Sequence, residues 1–221
     1  MLVGRAVAAR RQFMSTPRPG ADHVGLTLTL AGEILSFDAI LAAATDQASA
    51  SSGDETRYHT LAPRFLTWSA LFVLLDPYCC PVNIPPDDPG HYPIPEAKTA
   101  EEIALQKRSV DIVEAIVAKV HAAARDISGD VLSSPHPGSE AEQDAKQRRL
   151  GMFCPLALDA VYHVMGLYCW LCQEGGDESF KSRLADVERF LSAVGERWGL
   201  AKEYLSLKEY HDDAGQLGLA S

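Results

Sequence analysis

At 221 residues and 47% hydrophobic, the chain is long enough for one large or two small domains and apolar enough to bury a sizeable core. Thirty acidic residues against twenty basic give a net charge of −10, and the four arginines of the first twenty positions (Arg5, Arg10, Arg11, Arg18) have no acid among them, so residues 21–221 carry a net −14. A surface that negative repels phosphate backbones, whose neutralisation supplies most nucleic-acid affinity, and this argues against direct nucleic-acid binding by this chain.

Residues 1–20 are punctuated by Pro17, Pro19 and Gly20, and 1–23 read as a disordered leader. It lacks the continuous apolar segment and small-residue cleavage site of a secretory signal. Its arginines, with Ser15 and Thr16 and no acid before Asp22, also suit a mitochondrial presequence. Val24 to Ala44 is rich in Leu, Ala and Ile without sustained alternation and is expected to be helical. Gln47 to Glu55 holds too little apolar surface to offset the entropy of ordering it and reads as a linker.

A helix is predicted over Thr60–Leu75, capped by Thr60, tolerating Pro63 in its first turn and ended by Pro77. Its apolar stretch, Phe65 to Leu75, is eleven residues, against the roughly 18 needed to span a bilayer. Seven of the thirteen prolines then fall between Pro77 and Pro95, so 77–98 is expected to be a mobile loop. Thr99-Ala-Glu-Glu102 is a capping box, and Ile103, Val110, Val113, Val117, Val120, Ala124 and Ile127 follow at helical spacing until Ser128-Gly129. Lys107 and Asp111 stand four apart for a weak ion pair on the polar face.

Residues 130–149 read as a second mobile loop enclosing a short charged helix opened at Ser139. Leu150–Cys172 is apolar almost throughout and predicts a core helix. Asp159 argues against a membrane span, since a carboxylate there costs on the order of 2.5–3.5 kcal/mol. Asp177 caps the next helix, Phe180–Val194, and Gly195 offers a change of direction before a final helix, Arg197–Leu207. Residues 211–221 are read as a flexible tail. The fold class is therefore all-α, an irregular multi-helix bundle over 24–210.

The five cysteines (Cys79, Cys80, Cys154, Cys169, Cys172) read as buried thiols of a reducing compartment. Cys169 and Cys172 share a helix face but lie at its end, whereas redox pairs sit at helix N-termini, where the dipole favours a thiolate. Cys79 and Cys80 with His91 lack a four-ligand metal spacing, and His211-Asp212-Asp213 lies on a tail that cannot preorganise it. Asp159 and His163, four apart, could form a base and its orienting carboxylate, but a pair satisfying itself inside the core is the simpler reading. There is no nucleophile elbow, phosphate loop or metalloprotease helix, so no catalytic, cofactor or metal residue is assigned. The large aromatics Trp68, Tyr162, Trp170, Trp198 and Tyr204 are the candidates for core anchors or for the lining of an effector cavity.

Four segments follow one another in an order met elsewhere. Tyr58-His59 precedes the aliphatic run from Trp68 to Cys79-Cys80-Pro81. The capped helix from Thr99 comes next, then Cys154-Pro-Leu-Ala-Leu-Asp-Ala-Val-Tyr162. Last comes the stripe Phe180, Leu184, Val187, Leu191 and Val194, closed by Arg197-Trp198, Ala201 and Tyr204-Leu205. Over about Val24 to Leu207 this resembles the regulatory (middle and C-terminal) domain of fungal binuclear zinc-cluster transcription factors. The resemblance implies an all-helical domain that modulates transcription in the nucleus through intramolecular contacts, partner proteins or a small effector, without catalysis. The six-cysteine zinc-cluster reader of that family does not occur in this chain, so zinc is implied only if a cluster module lies upstream, and DNA binding is not carried over. Such a chain would be a truncated form, a fragmentary gene product or a protein that lost its reader. Further copies of the chain remain open as partners. The alternative is an all-helical interaction scaffold unrelated to DNA, cytoplasmic or mitochondrial.

Overall fold

The computed structural model describes residues 4–9, 21–51, 54–79, 99–132, 140–151, 157–173 and 177–218, and among these there is no strand. Seven long helices follow a short helical segment at 4–9: α1 (Ala21–Ser51), α2 (Asp54–Cys79), α3 (Ala100–Leu132), α4 (Glu140–Gly151), α5 (Leu158–Gln173), α6 (Glu178–Gly195) and α7 (Gly199–Gly218). α1 lies along α2. α2 also packs on α3 and α5, and α6 is gripped by α3, α5 and α7. The all-α class is as expected.

Several boundaries are not. Residues 4–9 of the expected disordered leader are helical, with Ala6 and Ala9 buried and Arg5 paired with Glu33 of α1; two small side chains one turn apart let the segment approach its neighbour closely. The linker expected at Gln47 to Glu55 is helix as far as Ser51 and again from Asp54. Thr60 is consequently inside α2 rather than at its start, Pro63 lies nine residues past Asp54 instead of in the first turn, and Pro77 does not end the helix, which runs to Cys79. Pro77 removes a single donor near the helix end, and the helix continues through Pro63 despite the donor lost there. Most of the proline-rich loop, 80–98, lies outside the described residues.

The capping box forms as predicted. Thr99 N–H donates to Glu102 Oε2 at 2.9 Å, and Glu102 N–H donates to Thr99 Oγ1 at 3.1 Å. α3 then passes through Ser128 and Gly129, since Ser128 turns its hydroxyl inward to donate to the Ala124 carbonyl at 2.8 Å. Its apolar stripe differs from the one expected at its start: Ile103 and Val110 are exposed, and the core is met by Leu105, Ser109, Ile112, Ile116, Val120, Ala124 and Ile127. Ser109 is the reason. A polar residue in the true stripe hides its periodicity, and the Ser109 hydroxyl is buried without a hydrogen-bond partner. Lys107 and Asp111 make no ion pair among the described residues.

The charged helix expected within 130–149 is present as α4, which runs to Gly151 and absorbs the start of the helix expected at Leu150; α5 opens only at Leu158. Pro155, with no N–H to continue a ladder, lies in the sequence between them. Asp177 caps α6 as expected, accepting from Ser179 N–H at 3.3 Å. α7 begins at Gly199 rather than Arg197 and extends beyond Leu207 to Gly218, so most of the expected tail is helix.

Phe65, Trp68, Leu71 and Leu75 of α2 meet Leu30 and Ile34 of α1 in a core continuous with Val161, Val164 and Tyr168 of α5 and Val187, Phe190 and Leu191 of α6. One charge stands inside it. Asp38, 2% exposed, takes Arg64 Nε of α2 at 3.2 Å and Lys119 Nζ of α3 at 2.8 Å. Burial by itself raises the Asp38 pKa, but it is outweighed by the Lys119 hydrogen bond and charge and by the Arg64 charge, leaving the group below its ordinary value. The Trp68 indole N–H falls short of hydrogen-bond geometry yet also favours the ionised form, and Arg64 lies 5.0 Å over the Trp68 ring.

Because its folded pKa is lowered, Asp38 contributes stability that is fully present above the unfolded value of about 3.9 and is lost as pH falls through the folded one. Asp38→Asn is expected to cost about 2 kcal/mol at pH 7, less than for a fully enclosed pair because Lys119 can turn to solvent. Thermal melts from pH 7 to pH 2 would then show the gap to the parent protein closing below about pH 4, and a constant gap would refute the assignment. Ser109→Ala is expected to raise stability by about 1 kcal/mol in urea unfolding, since it removes a buried hydroxyl that bonds to nothing and improves helix propensity.

Candidate functional site

α6 ends in a tight turn. The Val194 carbonyl accepts from both Arg197 and Trp198 N–H at 3.0 Å, and Ala201 N–H donates to the Trp198 carbonyl at 3.0 Å to open α7. Three consecutive side chains, Glu196, Arg197 and Trp198, reach from this turn to α4. Lys146 Nζ lies 2.7 Å from Glu196 Oε2, Arg197 Nη1 donates to Gln147 Oε1 at 3.4 Å, and Trp198 Nε1 donates to the Leu150 carbonyl at 3.0 Å. The last contact has a clear local cause: the final carbonyls of a helix have no intrahelical partner, and the indole N–H supplies one.

Arg197 is fixed from two sides. Its guanidinium sits 5.5 Å from the centroid of the Trp198 ring and against Gly151, where a Cβ would lie 3.2 Å from Nη2. A cation there also faces the negative end of the α4 dipole. Between these elements Asp144, Gln147, Arg148, Gly151 and Arg197 line a solvent-open depression of about 520 Å3. Arg148 Nε donates to the Asp144 carbonyl at 3.3 Å.

The five candidate aromatics occupy different surroundings. Trp68 is 1% exposed, edge-on to Phe65 at 4.9 Å in the core. Tyr162 of α5 and Tyr204 of α7 stack at 4.3 Å and 23°, joining those helices, and burial, the Asp159 charge and Tyr162 all raise the Tyr204 pKa. Trp198 is half-buried in the turn, and Trp170 is exposed. None of the five lines the depression; Trp68 serves as a core anchor, and Tyr162, Trp198 and Tyr204 pack against the core.

Asp159 and His163 do meet, at 3.6 Å, but both are partly exposed rather than sealed in the core, and His163 stacks on Phe72 at 5.3 Å. Cys169 and Cys172 occupy the last turn of α5 and are half-buried. Cys80, His91 and Cys154 lie outside the described residues. Among the described residues no group of three or more His, Cys, Asp or Glu is placed to hold a metal ion.

Sequence reasoning missed the residues that face the turn. Lys146, Gln147 and Arg148 sit in a run that reads as ordinary charged surface, and nothing local shows that α4 returns to the α6–α7 turn fifty residues later. His121 of α3 was likewise unremarked; it lies 3.4 Å from Asp186 of α6, which also holds Arg189 at 2.9 Å. Among the described residues one helix, His23–Gln47 within α1, is long and apolar enough to cross a membrane by length and composition, with a third of its apolar window buried.

No protein-family model, no curated protein and no solved structure matches the chain.

Trp198→Phe is expected to cost about 1 kcal/mol, the worth of one hydrogen bond, and Trp198→Ala about 3 kcal/mol, at the low end for a large aromatic because the ring is half-buried. Urea unfolding checks both. A phenylalanine variant as stable as the parent would mean that the bond to Leu150 is not made in solution.

Proposed function

We propose that the chain is a non-catalytic transcription-regulatory domain, acting in the nucleus through protein partners or a small effector and resembling that of fungal zinc-cluster factors without their DNA reader. The observation that most supports the reading is the turn at Glu196-Arg197-Trp198. The tripeptide that closes the recognised C-terminal pattern makes three separate contacts with the last turns of α4. Such a joint, mostly polar and lying at the surface, is the kind of contact that an effector or partner can tighten or release. The net −14 over residues 21–221 agrees with a chain whose DNA contact is made by another polypeptide or module. The reading takes α1 as a member of the bundle rather than a span, because Asp38 at its middle is engaged by α2 and α3.

A second reading, an interaction scaffold unconnected with DNA, is favoured by Leu26, Phe37 and Ile40, which are exposed on one side of α1 at helical spacing. One experiment separates the two. Fused to a foreign DNA-binding domain, the chain is expected to change reporter output several-fold over that domain alone, and Trp198→Ala to abolish the change. Unaltered output from a fusion that is nuclear and folded would remove the regulatory reading and leave the scaffold.

A further inference from the structure

We propose that the depression between α4 and the α6–α7 turn binds a small oxyanion, a metabolite-sized carboxylate or phosphate ester. The chain is strongly acidic, yet Lys146 and Arg148 stand close together in α4, and the turn adds Arg197. Of the acids beside them, Glu196 is engaged by Lys146 at 2.7 Å and does not oppose an incoming anion as a bare charge, while Asp144 is outnumbered in the lining by Arg148 and Arg197. Two arginines, Arg148 and Arg197, line the same solvent-open depression of about 520 Å3.

Each arginine commits little of its donor capacity to protein. Arg148 uses Nε on the Asp144 carbonyl, and Arg197 uses Nη1 on Gln147. A guanidinium carries five N–H donors in a planar fork that matches a carboxylate or phosphate edge. Arg197 is partly preorganised by its contacts with the Trp198 ring and with Gly151, which lowers the side-chain freedom lost on binding. Gln147 turns Oε1 to Arg197, which leaves its amide N–H donors for a ligand. Asp144, also in the lining, can accept from a ligand hydroxyl or ammonium and discriminates against anions that have neither. A ligand held by both arginines would bridge α4 to the turn and tighten the joint described above. That consequence rests on the regulatory reading; the binding itself does not.

The test is calorimetric titration of the full chain with inorganic phosphate, with malate and with the uncharged diamide of malate. Phosphate, malate or both are expected to bind and the diamide not to; which of the two anions binds identifies the phosphate or the carboxylate class. Arg148→Gln is expected to weaken that binding about tenfold or more without moving the melting temperature, since among the described residues Arg148 makes no hydrogen bond or ion pair outside α4. Lys181→Gln, an exposed cation on α6, is expected to leave it unchanged. Absence of binding by both anions, equal affinity in Arg148→Gln, or equal loss in Lys181→Gln would each overturn the site. Because the readout is affinity in the purified chain, a reporter without response would sink the regulatory reading and leave this one standing.

Discussion

A carboxylate in the middle of an apolar helix is the constraint around which this bundle is arranged. α1 offers Leu, Ala and Ile on nearly every side, and such a helix could rotate or slide on its neighbour at little cost. Asp38 removes that freedom. Desolvating an unpaired carboxylate costs several kcal/mol, so only arrangements that bring cations to it are stable. Arg64 of α2 and Lys119 of α3 come from different helices, and both must be in register for the charge to be satisfied. Trp68, beneath Arg64 and at the centre of the α1–α2 core, ties that electrostatic condition to the largest fully buried side chain.

The other end of the molecule is held differently. α5, α6 and α7 share an apolar core built from Val161, Val164, Val187, Phe190 and Leu191, and α6 presents the clearest stripe in the chain. α4, by contrast, is a charged helix with Leu150 as its buried anchor, and it is attached through polar contacts with Glu196, Arg197 and Trp198. Contacts of that kind are individually modest and depend on salt and ligand more than hydrophobic burial does. On the regulatory reading proposed above, this turn, beside which Arg148 and Arg197 are exposed, would be the element that a ligand adjusts.

Where local chemistry was decisive, the sequence could be read directly. The Thr99–Glu102 box and the Asp177 cap need only residues two or three apart, and both form with the expected partners. Helix ends marked by proline or glycine were less legible. Pro77 and Gly129 lower helix propensity by amounts that neighbouring helices overcome, and the bundle carries both α2 and α3 past the expected stops. Ser109 masks the core stripe of α3 because a hydroxyl in that stripe reads as surface. Of the candidate aromatics, Trp68 is a core anchor, Tyr162, Trp198 and Tyr204 pack against the core and Trp170 is exposed, since residue type alone does not say which face of a bundle a ring meets.

The sequence by itself determined that the chain is helical, where its best-capped helices start and which face of α6 is apolar, because helix periodicity and capping depend on neighbours within a few residues. Only the tertiary structure decided what Asp38 pairs with and that Lys146, Gln147 and Leu150 answer Glu196, Arg197 and Trp198. Those contacts join residues 26 to 81 positions apart, across helices whose mutual placement comes from how whole faces pack, and no local pattern in the chain encodes that distance.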